Sequence, residues 1–314
     1  MNPRSLVASS RPQVALGIAP DRVTAIAVSR TGGRPTITAH ASESLPPRTV
    51  SAALNAANVA DPAGLASTVR HLFDRLGQRP RRVALALPDT IGKVSLLRFE
   101  KVPARAEDLD QLIRFQMRKA APFRLEDAQV AYSAGAPIDG GGREFVVVVT
   151  RRDVVREYEA ACEAAGAHAG LADLASLNVI NAVVAGRARP EGDWLLVHVT
   201  SYCATMAILR GGDLIFYRSR GEEAEGNLAD LVHQTAMYYE DRLGGKGFSR
   251  VVLVGAAAAY AGMESGDWLR RSLEDRLRTT VQIMKPDAIR FADRISVDQA
   301  SFDLYSPLIG LLQR

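Results

Sequence analysis

The sequence of 314 residues is poor in cysteine and lacks any long uninterrupted apolar run. Its two cysteines, Cys162 and Cys203, have no partner at the spacing of a redox or zinc motif, which predicts two small buried residues. No segment approaches the roughly 20 apolar residues that a membrane span requires. Residues 1–11 also lack the apolar stretch of a signal peptide. These absences predict a cytoplasmic protein that does not insert directly into a membrane.

The sequence also lacks a large excess of either charge. Lys and Arg together number 39 and Asp and Glu number 35, which leaves a net charge of +4. The basic residues are scattered, and even the densest group, residues 79–82, is expected to be a solvated turn, so no nucleic-acid partner is expected. The histidines show no metal-ligand spacing, and no motif pairs a nucleophile with a base. The sequence therefore predicts no catalytic residue and no metal site.

Length and periodicity predict a mixed α/β protein with two cores. Single cores stop growing at about 250 residues, so this chain is long enough for two lobes. Its first half alternates apolar strand patterns with helical periodicity. Predicted strands span residues 14–18, 23–28, 36–41, 83–87, 94–99, 128–133 and 145–150, and predicted helices span residues 62–76, 107–121, 151–165 and 174–185.

The stretch from Trp194 to Arg220 organises the second half of the chain. It contains three apolar runs joined by tight turns, which predict strands at residues 195–199, 204–209 and 213–217. A helix at residues 222–243, a buried strand at residues 251–254 and a terminal helix at residues 304–312 are predicted to follow. A three-stranded meander followed by a helix and a buried strand is the order of the second lobe of an actin-like fold.

Several segments resemble the PilM family, the FtsA-like component of type IV pilus assembly. They read GDLIFYR at residues 212–218, QTAMYY at residues 234–239, VVLVG at residues 251–255 and IGLLQR at residues 309–314. The helix that runs into Ala121-Pro122-Phe123, with Leu87-Pro88-Asp89 before it and the apolar run at residues 145–149 after it, resembles the inserted subdomain of that family. The resemblance covers nearly the whole chain.

The resemblance implies an α/β protein of the actin-like, two-lobed kind, with an inserted α+β subdomain similar to subdomain 1C. Residues 1–87 and 151–189 are predicted to form lobe one, subdomain 1A. Residues 88–150 would form the inserted subdomain, residues 190–302 would form lobe two, and residues 303–314 would form a helix that returns to lobe one.

In family members with an intact site, two facing turns wrap the phosphates of Mg-ATP. Each turn needs glycine for close approach of the backbone and an Asp to orient the waters of Mg²⁺. In the first turn Ala19 stands where that Asp is expected, Asp21 is the substitute carboxylate, and the turn is about two residues short. In the second turn His198 replaces the Asp and Thr200 replaces the glycine.

Gly255 and Ala256 stand where the family places a glycine pair under the adenine, so one nucleotide contact of three is intact. No cofactor is therefore expected, and weak binding of Mg-ATP is kept as the alternative.

His198 is expected to be a buried strand histidine hydrogen-bonded to a neighbour. Residues 244–247 lack the spacing of a phosphate-binding loop and are expected to end a helix.

For function, the resemblance implies a non-enzymatic adaptor of the pilus assembly platform. Such a protein would bind the cytoplasmic N-terminal tail of a PilN-like inner-membrane protein, in a groove where the inserted subdomain meets lobe one. It would then be cytoplasmic and peripheral to the inner membrane through this partner. Phe115, Pro122 and Phe123 are the predicted groove residues. The helix stripe expected to form the core of the subdomain is Leu109, Leu112, Ile113, Met117 and Ala120.

Two other functions remain open at the level of sequence. The first is an actin-like ATPase or nucleotide switch of pilus assembly, in which Asp21 compensates for Ala19. The second is a GspL-like cytoplasmic component of a type II secretion platform. Contacts with other platform proteins and self-association also remain open.

Overall fold

Three β-sheets form the frame of the structure, which is a computed structural model that describes residues 12–30, 35–185, 192–221, 227–261, 267–285, 290–292 and 295–313. The largest sheet has six strands. They are β1 (Val14–Ile18), β2 (Arg22–Ser29), β3 (Thr36–Ser44), β4 (Arg82–Leu87), β8 (His168–Leu174) and β14 (Arg290–Phe291). Their order in the sheet is β14-β3-β2-β1-β4-β8. Strands β1, β4 and β8 run parallel, so their carboxyl ends meet at one edge.

The second sheet repeats this plan with five strands. They are β9 (Asp193–Val199), β10 (Cys203–Arg210), β11 (Asp213–Gly221), β12 (Arg250–Val254) and β13 (Val281–Ile283). Their order is β11-β10-β9-β12-β13, with β9, β12 and β13 parallel. The antiparallel meander from β9 to β11 and the buried strand β12 confirm the predicted order of elements in the second half of the chain.

A third, antiparallel sheet belongs to the inserted segment. Its strands are β5 (Gly92–Phe99), β6 (Ala128–Ile138) and β7 (Gly142–Arg151), in the order β5-β7-β6. Helix α2 (Ala106–Met117) packs on this sheet through Ile113 and Met117, which are fully buried against Val147 and Val149. The segment therefore has its own small core.

The remaining helices cover the two large sheets. Helices α1 (Pro62–Arg75) and α3 (Arg152–Ala164) pack on one face of the six-stranded sheet. Helices α5 (Leu228–Leu243), α6 (Ala256–Ala259) and α7 (Asp267–Leu277) belong to the five-stranded sheet. No helix within the described ranges is long and apolar enough to cross a membrane.

Helices α4 (Ala175–Ala185) and α8 (Gln299–Gln313) lie between the two large sheets. Their apolar residues form one core cluster with residues of both sheets, including Ala84 of β4 and Trp194 of β9. The two helices approach very closely, because a Cβ atom placed on Gly310 would lie only 1.7 Å from the carbonyl oxygen of Asn178. This helix pair is therefore the apolar joint between the two lobes.

The predicted helix at residues 107–121 extends too far. Helix α2 ends at Met117, where the N–H groups of Ala120 and Ala121 both donate to the carbonyl oxygen of Met117. Pro122 prevents a further helical turn, because it has no N–H and restricts the residue before it. Ala120 consequently lies beyond the helix and is exposed, so its assignment to the core stripe was wrong.

The boundaries of the second half also differ from the prediction. Helix α8 begins at Gln299 and strand β14 already pairs with β3, so the chain returns to the sheet of lobe one near residue 290 instead of residue 303. Helix α5 is described from Leu228, and the predicted helical residues 222–226 lie outside the described residues. The short β13 and β14 and the polar helix α7 carry too little apolar periodicity to have been predicted.

Candidate functional site

A cleft with an empty volume of about 650 Å³ lies where the carboxyl ends of β1, β4, β9 and β12 meet. The residues that line it include Ala19 and Asp21 from one lobe and His198, Thr200 and Gly255 from the other. Ala256 follows directly and is buried at the start of α6. The fold thus brings five of the six residues predicted for the degenerate nucleotide site to one cleft, and Ala256 lies next to them without lining it.

The turn between β1 and β2 closes on itself. The backbone N–H of Ala19 donates to the carbonyl oxygen of Arg22 at 2.9 Å. The carboxylate of Asp21, the substitute for the missing Asp, accepts from Nε of Arg22 at 3.0 Å. One N–H group that a phosphate would need is therefore already used, and the carboxylate is paired with a side chain.

The turn between β9 and β10 is closed by Thr200. Its backbone N–H donates to the carbonyl oxygen of Cys203 at 2.8 Å. Its hydroxyl donates to the same oxygen at 3.0 Å and accepts from the N–H of Tyr202 at 3.4 Å. The N–H of Thr200 is engaged by the backbone alone, whereas the other two bonds require the threonine hydroxyl. A glycine would lack that hydroxyl and leave the N–H of Tyr202 available to an anion.

A carboxylate of the chain also lies at the start of α6. Oδ2 of Asp303 accepts from the N–H of Ala257 at 2.9 Å, and its Oδ1 accepts from Nε2 of Gln299 at 2.8 Å. Burial raises the pKa of Asp303 above its usual range. Arg22 is the one Lys or Arg among the described residues that line the cleft. Asp21 and Asp303 oppose this single cation, so the cleft offers a triphosphate little charge compensation.

A polar cluster missed by sequence reasoning lies at the floor of this cleft. Its centre is Asp89, which follows β4 and is only 3% exposed. Its Oδ1 accepts from the N–H and the hydroxyl of Ser176 at 3.0 and 2.8 Å. Its Oδ2 accepts from the hydroxyl of Thr205 at 3.1 Å. The hydroxyl of Tyr217 lies 2.7 Å from that of Ser176. These residues come from three separate regions of the chain, the ends of β4 and β8 and the hairpin of β10 and β11, so no local pattern connects them.

His198 is buried beside this cluster at 2% exposure. Its Nδ1 has no hydrogen-bond partner and lies 3.9 Å from Oδ2 of Asp89. The hydrogen-bonded neighbour expected from the sequence is therefore missing at this nitrogen. Burial lowers the pKa of His198 to about 4, so the ring is neutral near pH 7 and the pair is not a salt bridge.

Acid is expected to destabilise the protein through His198. Between its ordinary pKa of 6.5 and its folded pKa of about 4, the folded state binds fewer protons than the unfolded state. The free energy of unfolding therefore falls as the pH falls through this window, by about 3 kcal/mol from this residue. The raised pKa of Asp89 acts in the opposite sense, because it weakens stability as the pH rises.

Urea unfolding of the wild type and of His198→Gln, at about pH 7 and about pH 4.5, isolates this contribution. The variant is expected to lose less stability on acidification than the wild type. His71→Gln, at an exposed position of α1, controls for the loss of a histidine. Equal losses in the wild type and His198→Gln would show that His198 does not titrate in this way.

A second cleft lies at the junction of the inserted sheet and α3. Its empty volume is about 870 Å³. The residues that line it are Phe123, Arg124, Asp127, Arg151, Arg152, Asp153 and Arg156. Of the three predicted groove residues, Phe123 is therefore brought into a cleft. Phe115 is 61% exposed on α2, and neither it nor Pro122 is among the described residues that line this cleft.

The four arginines of this junction cleft differ in how far they are engaged. Arg151 pairs with Asp153 and donates to the carbonyl oxygen of Asn55 at 2.7 Å. Arg152 donates to the carbonyl oxygen of Ala128 at 3.0 Å. Nε of Arg124 lies 3.9 Å from a carboxylate oxygen of Glu126, which is outside the lining. The lining itself has four guanidinium groups and two carboxylates, Asp127 and Asp153, so it has a positive balance. Beside the ring of Phe123 it suits a segment that carries both apolar and acidic groups.

The described residues contain no group of three or more His, Cys, Asp or Glu side chains arranged to hold a metal ion. Both cysteines are buried, and burial raises the pKa of each to about 12. Their thiols are therefore inert small side chains, as the sequence predicts.

Two sheets whose facing turns border a cleft, with α4 and α8 as the joint beneath it, define a protein of the actin-like class. Within this class the sequence matches the family of the type IV pilus assembly protein PilM over residues 16–242. The chain therefore belongs to the PilM family, and the resemblance noted in its sequence is confirmed.

Solved structures share this fold. A structure described as the PilM-PilN type IV pilus biogenesis complex matches with a TM-score of 0.79 at 18% identity, covering 96% of this chain and 97% of that one. A Bacteroides thetaiotaomicron protein with an actin-like ATPase fold and unknown function matches with a TM-score of 0.52 at 13% identity, covering 96% of each chain. The ethanolamine utilization protein EutJ from Carboxydothermus hydrogenoformans matches with a TM-score of 0.51 at 12% identity, covering 96% of this chain and 89% of that one. None of the curated protein sequences compared with the chain matches it significantly.

Proposed function

We propose that this protein is a cytoplasmic adaptor that binds the N-terminal tail of a PilN-like inner-membrane protein and does not turn over ATP. Membership of the PilM family and the likeness to a chain of a PilM-PilN complex support the choice of partner. The tail would hold the adaptor at the inner membrane, beneath the pilus assembly platform.

The observation that carries the proposal is the closure of both cleft turns by their own residues. The N–H groups of Ala19, Thr200 and Tyr202 are engaged within the turns. A phosphate would have to displace these bonds, and the first hairpin offers no unpaired carboxylate at the position expected for the Mg²⁺ waters. The fold of an actin-like ATPase is kept here while the groups that bind its nucleotide are used for internal contacts.

The junction cleft is the proposed site for the tail. It lies between the inserted sheet and α3, and it combines the half-buried ring of Phe123 with the guanidinium group of Arg156. Arg124, whose side chain is 80% exposed, lies at the same cleft. An extended tail could place an apolar side chain on Phe123 and an acidic group between Arg124 and Arg156. Phe115 and Pro122, the other predicted groove residues, have no role in this arrangement.

A titration of fluorescently labelled tail tests the site. The probe is a synthetic peptide with the cytoplasmic N-terminal sequence of the PilN-like protein of the same organism, and its anisotropy reports binding. Phe123→Ala and Arg156→Glu are each expected to weaken binding at least about tenfold, because each removes an anchor of a small interface. Phe115→Ala is the matched control, since it removes the same ring from an exposed position outside the cleft.

Two results would contradict this placement. One is a loss of affinity in Phe115→Ala with none in Phe123→Ala, which would move the groove to the exposed face of α2. The other is a normal affinity in the double variant of Phe123 and Arg156, which would exclude the junction cleft altogether.

A further inference from the structure

We propose that Asp89 is an interlobe latch, a carboxylate that holds the two lobes in one relative position without a nucleotide. This inference rests on the proposed function, because a scaffold that binds no nucleotide needs another group to bridge its cleft. It concerns the cluster at the cleft floor and is independent of the junction cleft.

The hydrogen bonds of Asp89 are divided between the lobes. Its Oδ1 is bound within lobe one, by the N–H and the hydroxyl of Ser176 at the start of α4. Its Oδ2 reaches across to the hydroxyl of Thr205 on β10 of lobe two, at 3.1 Å. A second bridge runs between the hydroxyls of Ser176 and Tyr217, which lies on β11. The carboxylate therefore accepts hydrogen bonds from both lobes at once.

The position of the latch complements that of the apolar joint. Helices α4 and α8 connect the lobes through a continuous apolar cluster beneath the cleft. Asp89 lies at the carboxyl end of β4, beside the cleft-lining residues Pro88, Ala175 and His198. An apolar joint alone permits rotation of packed elements, whereas a hydrogen-bonded contact at the cleft fixes the angle.

Burial makes Asp89 dependent on the hydrogen-bond donors around it. Asp89 forms no ion pair with a Lys or Arg among the described residues, and burial raises its pKa. A carboxyl group in such a place depends on its hydrogen-bond donors, and removal of one donor leaves a buried acceptor unsatisfied. Thr205 and Tyr217 belong to lobe two, so the cluster is complete only while the lobes keep the relative position seen in this structure.

The test is the distribution of distances between spin labels on the two lobes. Cysteines introduced at His71 on α1 and Asp241 on α5 occupy exposed positions, and the two native thiols are buried. The otherwise native protein is expected to give one narrow distribution that Mg-ATP does not shift. Asp89→Ala is expected to give a longer mean distance and a broader distribution. Thr205→Val, which removes only the hydroxyl of lobe two, should do the same and serves if Asp89→Ala fails to fold.

Tyr158→Phe is the matched control, because it removes a buried hydrogen bond of 3.0 Å to Asn58 that lies wholly within lobe one. It should lower stability without changing the distribution. Native distributions in both Asp89→Ala and Thr205→Val would overturn the latch and leave the tail-binding proposal untouched. A shift of the parent protein by Mg-ATP would instead contradict the nucleotide-independent scaffold on which the latch rests.

Discussion

Gly310→Ala is expected to lower the free energy of unfolding by about 4 kcal/mol. The new Cβ would lie 1.7 Å from the carbonyl oxygen of Asn178 and 3.0 Å from the N–H nitrogen of Ala182. Both contacts are backbone atoms of α4, so no side chain can rotate away. Helices α4 and α8 would have to separate, and the core cluster that joins the two lobes would open with them.

Thermal unfolding measures this effect, with an expected fall of the midpoint by roughly 10 °C. Gly221→Ala is the control, because the nearest atom to its new Cβ, a methyl carbon of Thr90, is 3.7 Å away. That variant should unfold close to the wild type. Similar midpoints for the two variants would contradict the close packing of α4 on α8.

Gly255→Ala is expected to lower the free energy of unfolding by about 3 kcal/mol, whether or not a nucleotide is present. Gly255 has φ of 92°, and a Cβ there would lie 1.9 Å from the carbonyl oxygen of Val199 at the end of β9. The glycine that survives from the nucleotide motif is therefore required by the approach of β12 to β9. Its presence is not evidence for adenine binding.

The control for Gly255→Ala separates backbone strain from collision. Gly211 also has positive φ, 60°, but a Cβ there meets no atom within 4 Å. Gly211→Ala is expected to lower the free energy of unfolding by only about 1 kcal/mol, which is the cost of the left-handed conformation for a residue with a Cβ atom. Equal midpoints of thermal unfolding for the two variants would show that contact with Val199 is unimportant. A loss in Gly255→Ala that Mg-ATP fully restores would instead return the residue to a nucleotide site.

The two glycines show why the fold could be predicted from the sequence. Gly255 ends a run of apolar residues, and Gly310 interrupts an apolar helix, so both fall in segments where periodicity is strong. The strands and helices around them were predicted within a few residues. Element ends were predicted less well where polar residues or proline decide them, as at Met117 and Gln299.

The candidate sites were only partly visible in the sequence. The loss of the nucleotide motif at Ala19, His198 and Thr200 could be read from residue types alone. That Thr200 closes its own turn could not, because the hydrogen bonds to Cys203 depend on the backbone conformation. The partners of Asp89 are separated from it by 87 and 116 positions, at Ser176 and Thr205, so only the folded chain brings them together.

The junction cleft illustrates a second limit. The helical stripe of α2 predicted the core of the inserted sheet, and it left Phe115 at the edge of that stripe as a groove candidate. Phe123, which the sequence also predicted, lines a cleft to which α3 contributes Arg152 and Arg156, whereas Phe115 does not line it. These two arginines belong to a helix of lobe one, and sequence spacing does not reveal how close that helix lies to Phe123.

The most direct test of the central claim is the affinity of the labelled tail peptide for the unmodified protein, with and without millimolar Mg-ATP. The account predicts saturable binding with the same dissociation constant in both conditions, since the cleft turns are closed and the junction cleft lies apart from them. Binding that appears or disappears with Mg-ATP would contradict a nucleotide-independent adaptor. Absence of binding in both conditions would contradict the adaptor itself.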